Sequence, residues 1–213
     1  MTAHRFWDLI ARKYARDPVA DPEAYERKLS ETRMLLRPDD RVLEFGCGTG
    51  TTALRHAPHV KEIVAIDISA RMIGIAREKA QSAQVSNVEF QQASLDTFDA
   101  APGSFDMVMA HSILHLIPDH RAAIEQSFNL LAPGGVFVSS TACLGEMGWV
   151  FRKILPLGRA LRGYFPLLTV FSAEELRADI TNAGFVIESH WQKSSNAAAF
   201  IIARRPATAA NDP

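Results

Sequence analysis

The stretch that decides the fold is Val42-Leu43-Glu44-Phe45-Gly46-Cys47-Gly48-Thr49-Gly50. It is an apolar strand that runs into a glycine-rich turn, and a helix is predicted to follow. Glycines in such a turn allow positive φ angles and let a ligand approach the backbone, because no Cβ stands in the way. In an open α/β sheet, a nucleotide-type ligand binds at this carboxyl end of the strand. The alternative interpretation is a glycine turn in an α/β protein without a ligand.

The residues around these glycines disfavour two other nucleotide sites. A dinucleotide fingerprint needs a third glycine where Thr51 stands. A Walker A loop needs a lysine after its last glycine, and Gly50 is followed by two threonines. Glu44, just before the turn, favours a ligand with a cationic end over one with a pyrophosphate.

The rest of the chain predicts an α/β fold with a doubly wound, mostly parallel seven-stranded sheet. Short β-branched runs alternate with helical stretches, which is the rhythm of βαβ units. The connection 192–196 is too short for a parallel crossover, so the last strand is predicted to be antiparallel. Strands are predicted at 41–45, 62–66, 88–92, 105–110, 136–141, 185–191 and 198–204, and helices beginning near Thr51, Ser69, Asp119 and Ser172.

Three further segments complete the predicted organisation. Helical patterns at 6–15 and 22–36 form an N-terminal cap over residues 1–40, and the sheet domain covers 41–205. Within that domain, residues 144–171 form an insertion rich in large apolar and cationic side chains. The small, polar tail 206–213 is predicted to be flexible.

Composition narrows the classes of protein that fit. The 213 residues carry a net charge of −1, which argues against affinity that comes mainly from neutralising a phosphate backbone. The two cysteines, Cys47 and Cys143, form no zinc or disulfide pattern, so no metal and a reducing, cytoplasmic setting are predicted. No apolar run is long enough to span a bilayer, and charges interrupt the first fourteen residues where a signal peptide would be apolar.

Asp67 is the second candidate binding residue. It ends the second predicted strand, where a carboxylate can accept hydrogen bonds from both hydroxyls of a ribose. The alternative is a helix N-cap box with Ser69.

Five segments together resemble the successive motifs of class I S-adenosylmethionine-dependent methyltransferases. They occur in the expected order over residues 41–204, and they are 42–50, 64–69, 103–108, 130–135 and 183–185. The resemblance implies S-adenosylmethionine as the cofactor, S-adenosylhomocysteine as its product and methyl transfer as the reaction.

The resemblance also implies roles for individual residues. The loop of Gly46, Gly48 and Gly50 would hold the methionine part, Asp67 the ribose, and Ile68 would pack on adenine. The family's usual Gly-Asp-Ala after the third strand is Ala93-Ser94-Leu95 here, so Ser94 is expected to give one hydrogen bond and Leu95 its backbone N–H. The residues predicted to complete this cofactor site are Glu44, Cys47, Met72 and Ala110.

The whole chain, including Phe6-Trp7-Asp8, Tyr14 and residues 25–28, most resembles the small-molecule branch related to ubiquinone and menaquinone methyltransferases. In such relatives an N-terminal helix closes over the cofactor, which makes Tyr14, Tyr25 and Lys28 candidates for cofactor contacts. The alternative is an amphipathic helix that only packs on the sheet.

His111 and His115 are the candidates for a catalytic base. They follow the fourth predicted strand, at the edge where cofactor and substrate meet, and histidine takes a proton near neutral pH. If the segment is helical, a spacing of four places both rings on one side. The alternatives are a structural, hydrogen-bonded histidine, or no base at all, because methyl transfer from a sulfonium depends mainly on alignment.

The predicted substrate is a small, partly apolar molecule. The segment after the fourth strand lacks the Asn/Asp-Pro-Pro-aromatic motif of nucleobase amino methylation, and no Pro-Cys pair supplies a nucleophile for cytosine C5, so nucleic acid is disfavoured. The insertion 144–171 is expected to form a lid over the substrate. Its alternatives are an edge-covering helix, a homodimer contact or a peripheral membrane contact. The residues predicted to form the lid are Trp149, Phe151, Arg152 and Tyr164.

Two other functions stay open at this point. One is a protein that binds S-adenosylmethionine without transferase activity and serves as a sensor or assembly partner. The other, more distant, is a nicotinamide oxidoreductase.

Overall fold

The computed structural model describes residues 2–146, 168–194 and 197–207. Its helices are α1 (Ala3–Tyr14), α2 (Pro22–Arg33), α3 (Thr51–His56), α4 (Ala70–Ser82), α5 (His120–Leu130) and α6 (Ala173–Asn182). Its strands are β1 (Arg41–Phe45), β2 (Glu62–Asp67), β3 (Val88–Gln92), β4 (Phe105–His111), β5 (Leu131–Ala142), β6 (Val186–Trp191) and β7 (Ala198–Arg204).

The strands of the described residues form a seven-stranded sheet in the order β3-β2-β1-β4-β5-β7-β6. The pairs from β3 to β5 are parallel, while β7 runs antiparallel to both β5 and β6. The sheet confirms the predicted fold class, including the antiparallel last strand. Strand order reverses between β1 and β4, and the crevice for a ligand in such a sheet opens at that switch point.

Four of the predicted helix starts have a side-chain cap. Side chains of Asp21, Ser69 and Asp119 each accept a backbone N–H three residues further on. Ser172 forms a capping box with Glu175 at the start of α6. These caps satisfy backbone donors that a helix leaves unpaired at its first turn.

The start of β5 differs from the prediction. Leu131 already pairs with Phe105, and the register then shifts so that Val136 pairs with Met107. The extra residues bulge out, with Gly134 at φ +81°. In the sequence, Gly134-Gly135 predicts a turn into this strand. The two glycines instead lie in an irregularity inside β5, and pairing resumes after them. The other predicted boundaries that differ by more than one residue are those of α1, which begins at Ala3, and α2, which ends at Arg33.

Both faces of the sheet are covered. One face, here named the α5 face, packs Leu43, Val64 and Val108 with residues of α5 and α6. The opposite α3 face packs Val42, Ile63 and Met107 with residues of α3 and α4. Because side chains alternate along a strand, Glu44, His111 and Ser140 fall on the α3 face. Burial on both faces explains the nearly continuous apolar strands.

None of the helices in the described part of the chain is long and apolar enough to cross a membrane.

Candidate functional site

The glycine loop after β1 folds into a tight turn. The backbone N–H of Cys47 donates to the Ile66 carbonyl at 3.0 Å, and that of Gly50 donates to the Cys47 carbonyl at 3.0 Å. Gly46 has φ +68°, and a Cβ there would stand 2.5 Å from Ile113 Cγ1. Gly50 has φ +75°, and its Cβ would stand 2.6 Å from the Phe90 ring. Both positions therefore require glycine on conformational and steric grounds.

Asp67 connects this loop to the start of α4. Its Oδ2 accepts the N–H of Gly48 at 2.9 Å, and its Oδ1 accepts the N–H of Ser69 at 2.9 Å. The cap of α4 is Ser69, whose Oγ accepts the N–H of Met72. Because Asp67 binds the N–H of this cap residue, the alternative of a helix N-cap box with Ser69 stays a prediction beside ribose binding. Burial raises the pKa of Asp67 above its usual value, although the two hydrogen bonds oppose this. Both oxygens keep a lone pair for a ligand hydroxyl.

A cavity of about 440 Å³ opens at the carboxyl ends of the central strands. It passes from Asp67 along the glycine loop to His111, under α1. Nine of the residues predicted for the site line it: Tyr14, Gly46, Gly48, Asp67, Ile68, Met72, Ser94, Leu95 and His111.

The other predicted residues lie around the cavity rather than on its wall. Cys47 and Gly50 shape the loop, and burial raises the pKa of the Cys47 thiol, so this cysteine is not a nucleophile. Ala110 is fully buried in β4. The hydroxyl of Tyr25 shares a hydrogen bond of 3.1 Å with Thr52, and Lys28 reaches β5.

Glu44 is a buried acid beneath the loop. It is 2% exposed, accepts the backbone N–H of Ala53, and leaves Oε2 without a hydrogen-bond partner in the described residues. Burial raises its pKa to about 8. A cation bound beside Glu44 would stabilise the ionised carboxylate and so lower this pKa again.

Helix α1 closes one side of the cavity with Ala3, Trp7 and Tyr14. It is fixed by Asp8, whose Oδ1 accepts the Ser69 hydroxyl at 2.7 Å and the Arg71 N–H at 3.0 Å. These hydrogen bonds lower the pKa of Asp8. Sequence reasoning missed Trp7 and Asp8 as site residues, although the Phe6-Trp7-Asp8 segment is part of the resemblance to the small-molecule branch.

Near Leu95, the wall of the cavity includes the polar residues Asp96 and Gln126, which the sequence did not predict. Asp96 lines the wall just after Leu95, and Gln126 donates from Nε2 to the Leu95 carbonyl at 2.6 Å. Ser94, predicted to bind adenine, shares a hydrogen bond of 2.9 Å with Thr97. A carboxylate is therefore present at this end, two residues later than the family pattern places it.

The two histidines do not lie on one helix. His111 ends β4, Ser112 turns the chain at φ +55°, and His115 lies in a single 3₁₀ turn, Leu114–Leu116. The condition for placing both rings on one side of a helix is therefore not met. Only His111 lines the cavity, and its Nε2 has no hydrogen-bond partner in the described residues. Burial lowers its pKa to about 3 and also lowers the pKa of His115, so both rings are neutral near pH 7.

Much of the predicted lid, including Trp149, Phe151, Arg152 and Tyr164, lies outside the described residues. Its two ends meet, because the N–H of Gly145 donates to the Phe171 carbonyl at 2.9 Å. Thr169 binds the carbonyls of His115 and Ile117, each at 2.8 Å, and Ile117 lines the cavity. The chain thus returns from the insertion along the cavity wall.

Neither a second groove nor a metal centre competes with this cavity. A groove of about 480 Å³ beside β3 and the loop before β4 contains none of the predicted site residues. Within 2–146, 168–194 and 197–207, no three His, Cys, Asp or Glu side chains come together as a metal site.

A family profile described as a methyltransferase domain matches residues 36–197, about three quarters of the chain. The chain belongs to the class I S-adenosylmethionine-dependent methyltransferases. The match spans β1 to the loop before β7, and therefore includes the glycine loop, Asp67 and His111. The resemblance inferred from the motifs is confirmed.

Relatives of this methyltransferase have different named substrates. It is 29% identical over 198 residues to the 27-O-demethylrifamycin SV methyltransferase of Amycolatopsis mediterranei, covering 87% of this chain and 66% of that protein. It is 33% identical over 141 residues to the tRNA 5-carboxymethoxyuridine methyltransferase of Escherichia coli, covering 62% and 54%. The [4+2]-cyclase SpnF has the same fold, with a TM-score of 0.79 at 21% identity over 95% of this chain and 94% of that one.

The methyltransferase chain spans 28% to 66% of the length of four curated relatives. Family membership therefore rests on the shared domain.

Proposed function

We propose that this chain binds S-adenosylmethionine in the cavity under α1 and transfers its methyl group to a small, partly apolar molecule. One observation carries the proposal: a single cavity joins Asp67, the glycine loop and His111 at the switch point of the sheet. The adenosine would lie between Asp67 and Leu95, and the methionine part along the glycine loop.

The residues present fit this cofactor. Asp67 has lone pairs left for the ribose hydroxyls, and a side chain at Gly48 would enter the space beside Tyr14. The unpartnered oxygen of Glu44 suits the ammonium of the methionine part, either directly or through water. In the mostly apolar cavity, the few polar groups orient the ligand.

Bound S-adenosylmethionine would supply an electrophilic methyl group on a sulfonium, whose sulfur would leave as a neutral thioether when the acceptor takes the methyl group. The chain's own contribution is alignment and exclusion of water by Trp7, Tyr14 and the wall at Ile113. A buried, neutral His111 accepts a proton poorly, so we propose that it orients the acceptor, and that neither it nor His115 is a strong base.

The proposed acceptor is a small molecule rather than tRNA. The net charge of −1 and the missing nucleobase-methylation motif support this, and the rifamycin relative is named for a small-molecule acceptor. The tRNA relative makes nucleic acid the competing substrate. A substrate lid formed by 144–171, a homodimer and a peripheral membrane contact through the lid stay predictions.

The alternative function is cofactor binding without methyl transfer. It is supported by SpnF, a protein of this fold that is named as a cyclase. Binding and turnover therefore have to be measured separately.

Calorimetry with S-adenosylhomocysteine tests the binding step. Asp67→Asn would place an amide N–H against the N–H of Gly48 or Ser69, so we expect at least tenfold weaker binding than in the wild type. The matched control is Asp99→Asn, an exposed carboxylate outside the cavity, which should leave affinity unchanged. Wild-type affinity retained in Asp67→Asn contradicts the placement of the ribose.

Methyl transfer is then followed with labelled S-adenosylmethionine and two acceptor pools, a small-molecule extract and total tRNA. Label in a small molecule supports the proposal, label in tRNA replaces the substrate class, and binding without label in either pool favours the cofactor-binding alternative.

A further inference from the structure

Lys28 reaches from α2 to the carboxyl end of β5. Its Nζ donates to the Ser140 hydroxyl at 2.8 Å. The side chain is partly buried, which lowers the pKa of its ammonium. Among the described residues, no carboxylate forms a direct ion pair with it; Asp21, which is paired with Lys193, acts on its charge from farther away. A partly desolvated cation without a direct ion pair is costly, unless an anionic ligand completes the site.

The strand register places this ammonium away from the cofactor loop. Ser140 pairs with His111 across β4 and β5, and β4 lies between β5 and β1. Neighbouring strands are about 4.8 Å apart, so Ser140 is roughly 10 Å from the line of β1, which leads into the glycine loop. The cavity is lined by His111 but by neither Lys28 nor Ser140.

His111 lies between the cavity and the ammonium. His111 lines the cavity, its Nε2 lacks a partner in the described residues, and the charge of Lys28 acts on it. Because Ser140 is the strand partner of His111 and binds Lys28, the three side chains are neighbours from β4 to β5.

The position of Lys28 is held by contacts of α2 with β6 and with the loop after β6. Trp191 Nε1 donates to Glu31 Oε2 at 2.9 Å, and the Arg27 guanidinium lies 4.1 Å from the centre of the Trp191 ring. The same ring is 5.9 Å from Lys28 Nζ. Lys193 adds ion pairs to Asp21 and Glu23 at the start of α2. The ammonium is thus fixed over β5 by contacts on both sides of α2.

We infer that Lys28, Ser140 and His111 form an acceptor subsite for an anionic group, so that the methyl acceptor is an acid carrying a carboxylate or an ionised hydroxyl. This inference rests on the proposed function and assigns Lys28 to the acceptor, where the sequence had suggested the cofactor. Lysine supplies the charge and the serine hydroxyl a second donor to the anion. The neutral imidazole of His111 would contact the acceptor from the side and leave its nucleophilic atom open to the methyl group.

The test uses the full chain saturated with S-adenosylhomocysteine, with acetate as the probe and acetamide as its neutral match. The indole N–H signal of Trp191 reports binding by NMR, because its ring lies near Lys28 Nζ. Acetate is expected to shift this signal saturably, and acetamide to leave it in place. Lys28→Met should weaken the acetate response at least tenfold, and Ser140→Ala several-fold, with S-adenosylhomocysteine affinity changed by less than about threefold.

The control variant is Lys61→Met, an exposed lysine just before β2, which should respond like the wild type. An equal response to acetamide, or an acetate response that survives Lys28→Met, overturns the inference. A tenfold loss of S-adenosylhomocysteine affinity in Lys28→Met, with affinity for methylthioadenosine unchanged, also overturns it, because Lys28 then binds the methionine carboxylate. If the wild type fails to bind S-adenosylhomocysteine at all, the proposed function fails instead.

Discussion

At the scale of single residues, Gly46 and Gly74 differ in whether their position requires glycine. Gly46 combines a positive φ with contact to Ile113, so both its backbone and its missing side chain are required. Gly74 lies inside α4, where a Cβ would meet nothing within 4 Å. Only the first residue belongs to the site.

Alanine at these two positions should therefore act in opposite directions. Gly46→Ala is expected to lower the free energy of unfolding by about 2 kcal/mol or more, through strain and overpacking against Ile113. Gly74→Ala should raise it by about 0.5–1 kcal/mol, because alanine is the better helix former. Urea unfolding of both variants measures this, and a neutral Gly46→Ala would mean that the loop relaxes around the added methyl group.

At the scale of elements, α1 is a wall of the cavity that is fixed by one carboxylate. Its inner side presents Trp7 and Tyr14 to the cavity, and Asp8 binds the first turn of α4. That turn follows directly after Asp67 and Ile68. Helix α1 is therefore linked, through the start of α4, to the residues that are proposed to bind the ligand.

Asp8→Ala should speed release of S-adenosylhomocysteine about fivefold, since it removes hydrogen bonds whose net contribution is about 1 kcal/mol. Stopped-flow fluorescence of Trp7 measures the release rate. Asp17→Ala is the control, because Asp17 forms only an exposed pair with Lys13 on the same helical segment. Equal release rates in the wild type and Asp8→Ala would show that α1 does not limit ligand exit.

At the scale of the whole molecule, buried histidines make the fold sensitive to acid. His56 is fully buried on the α3 face, with both ring nitrogens unpartnered in the described residues. Burial lowers its pKa to about 4, and that of His111 to about 3. Between these values and the unfolded pKa of about 6.5, the unfolded chain binds protons that the folded chain does not. Stability is therefore lost as the pH falls below about 6.5.

His56→Gln should reduce this loss between pH 7 and pH 5, by on the order of 1 kcal/mol, because His111 still contributes in the same direction. The comparison is the change in unfolding free energy between the two pH values, which removes any constant packing cost. His4→Gln, at an exposed position, should keep the wild-type pH dependence. The same pH dependence in His56→Gln as in the wild type would contradict a neutral, buried His56.

The sequence predicted what depends on neighbours along the chain. Alternating patterns located the strands, helical stretches located the helix starts, and the glycine loop with Asp67 indicated the ligand class. The prediction failed where a local signal conflicted with pairing, because the two glycines before Val136 predicted a turn but lie in a bulge of β5. The spacing of His111 and His115 left a helix open, and the structure instead has the end of β4 followed by a 3₁₀ turn.

By itself, the sequence determined the fold class and the glycine loop that is proposed to hold the ligand, because periodicity and glycine chemistry are local properties. Only the tertiary structure decided which distant residues meet there: Asp8 at the start of α4, Gln126 behind Leu95, and Lys28 on Ser140. These contacts join segments 31 to 112 residues apart. They depend on the order of the strands and on the direction in which each helix crosses the sheet, which no local pattern specifies.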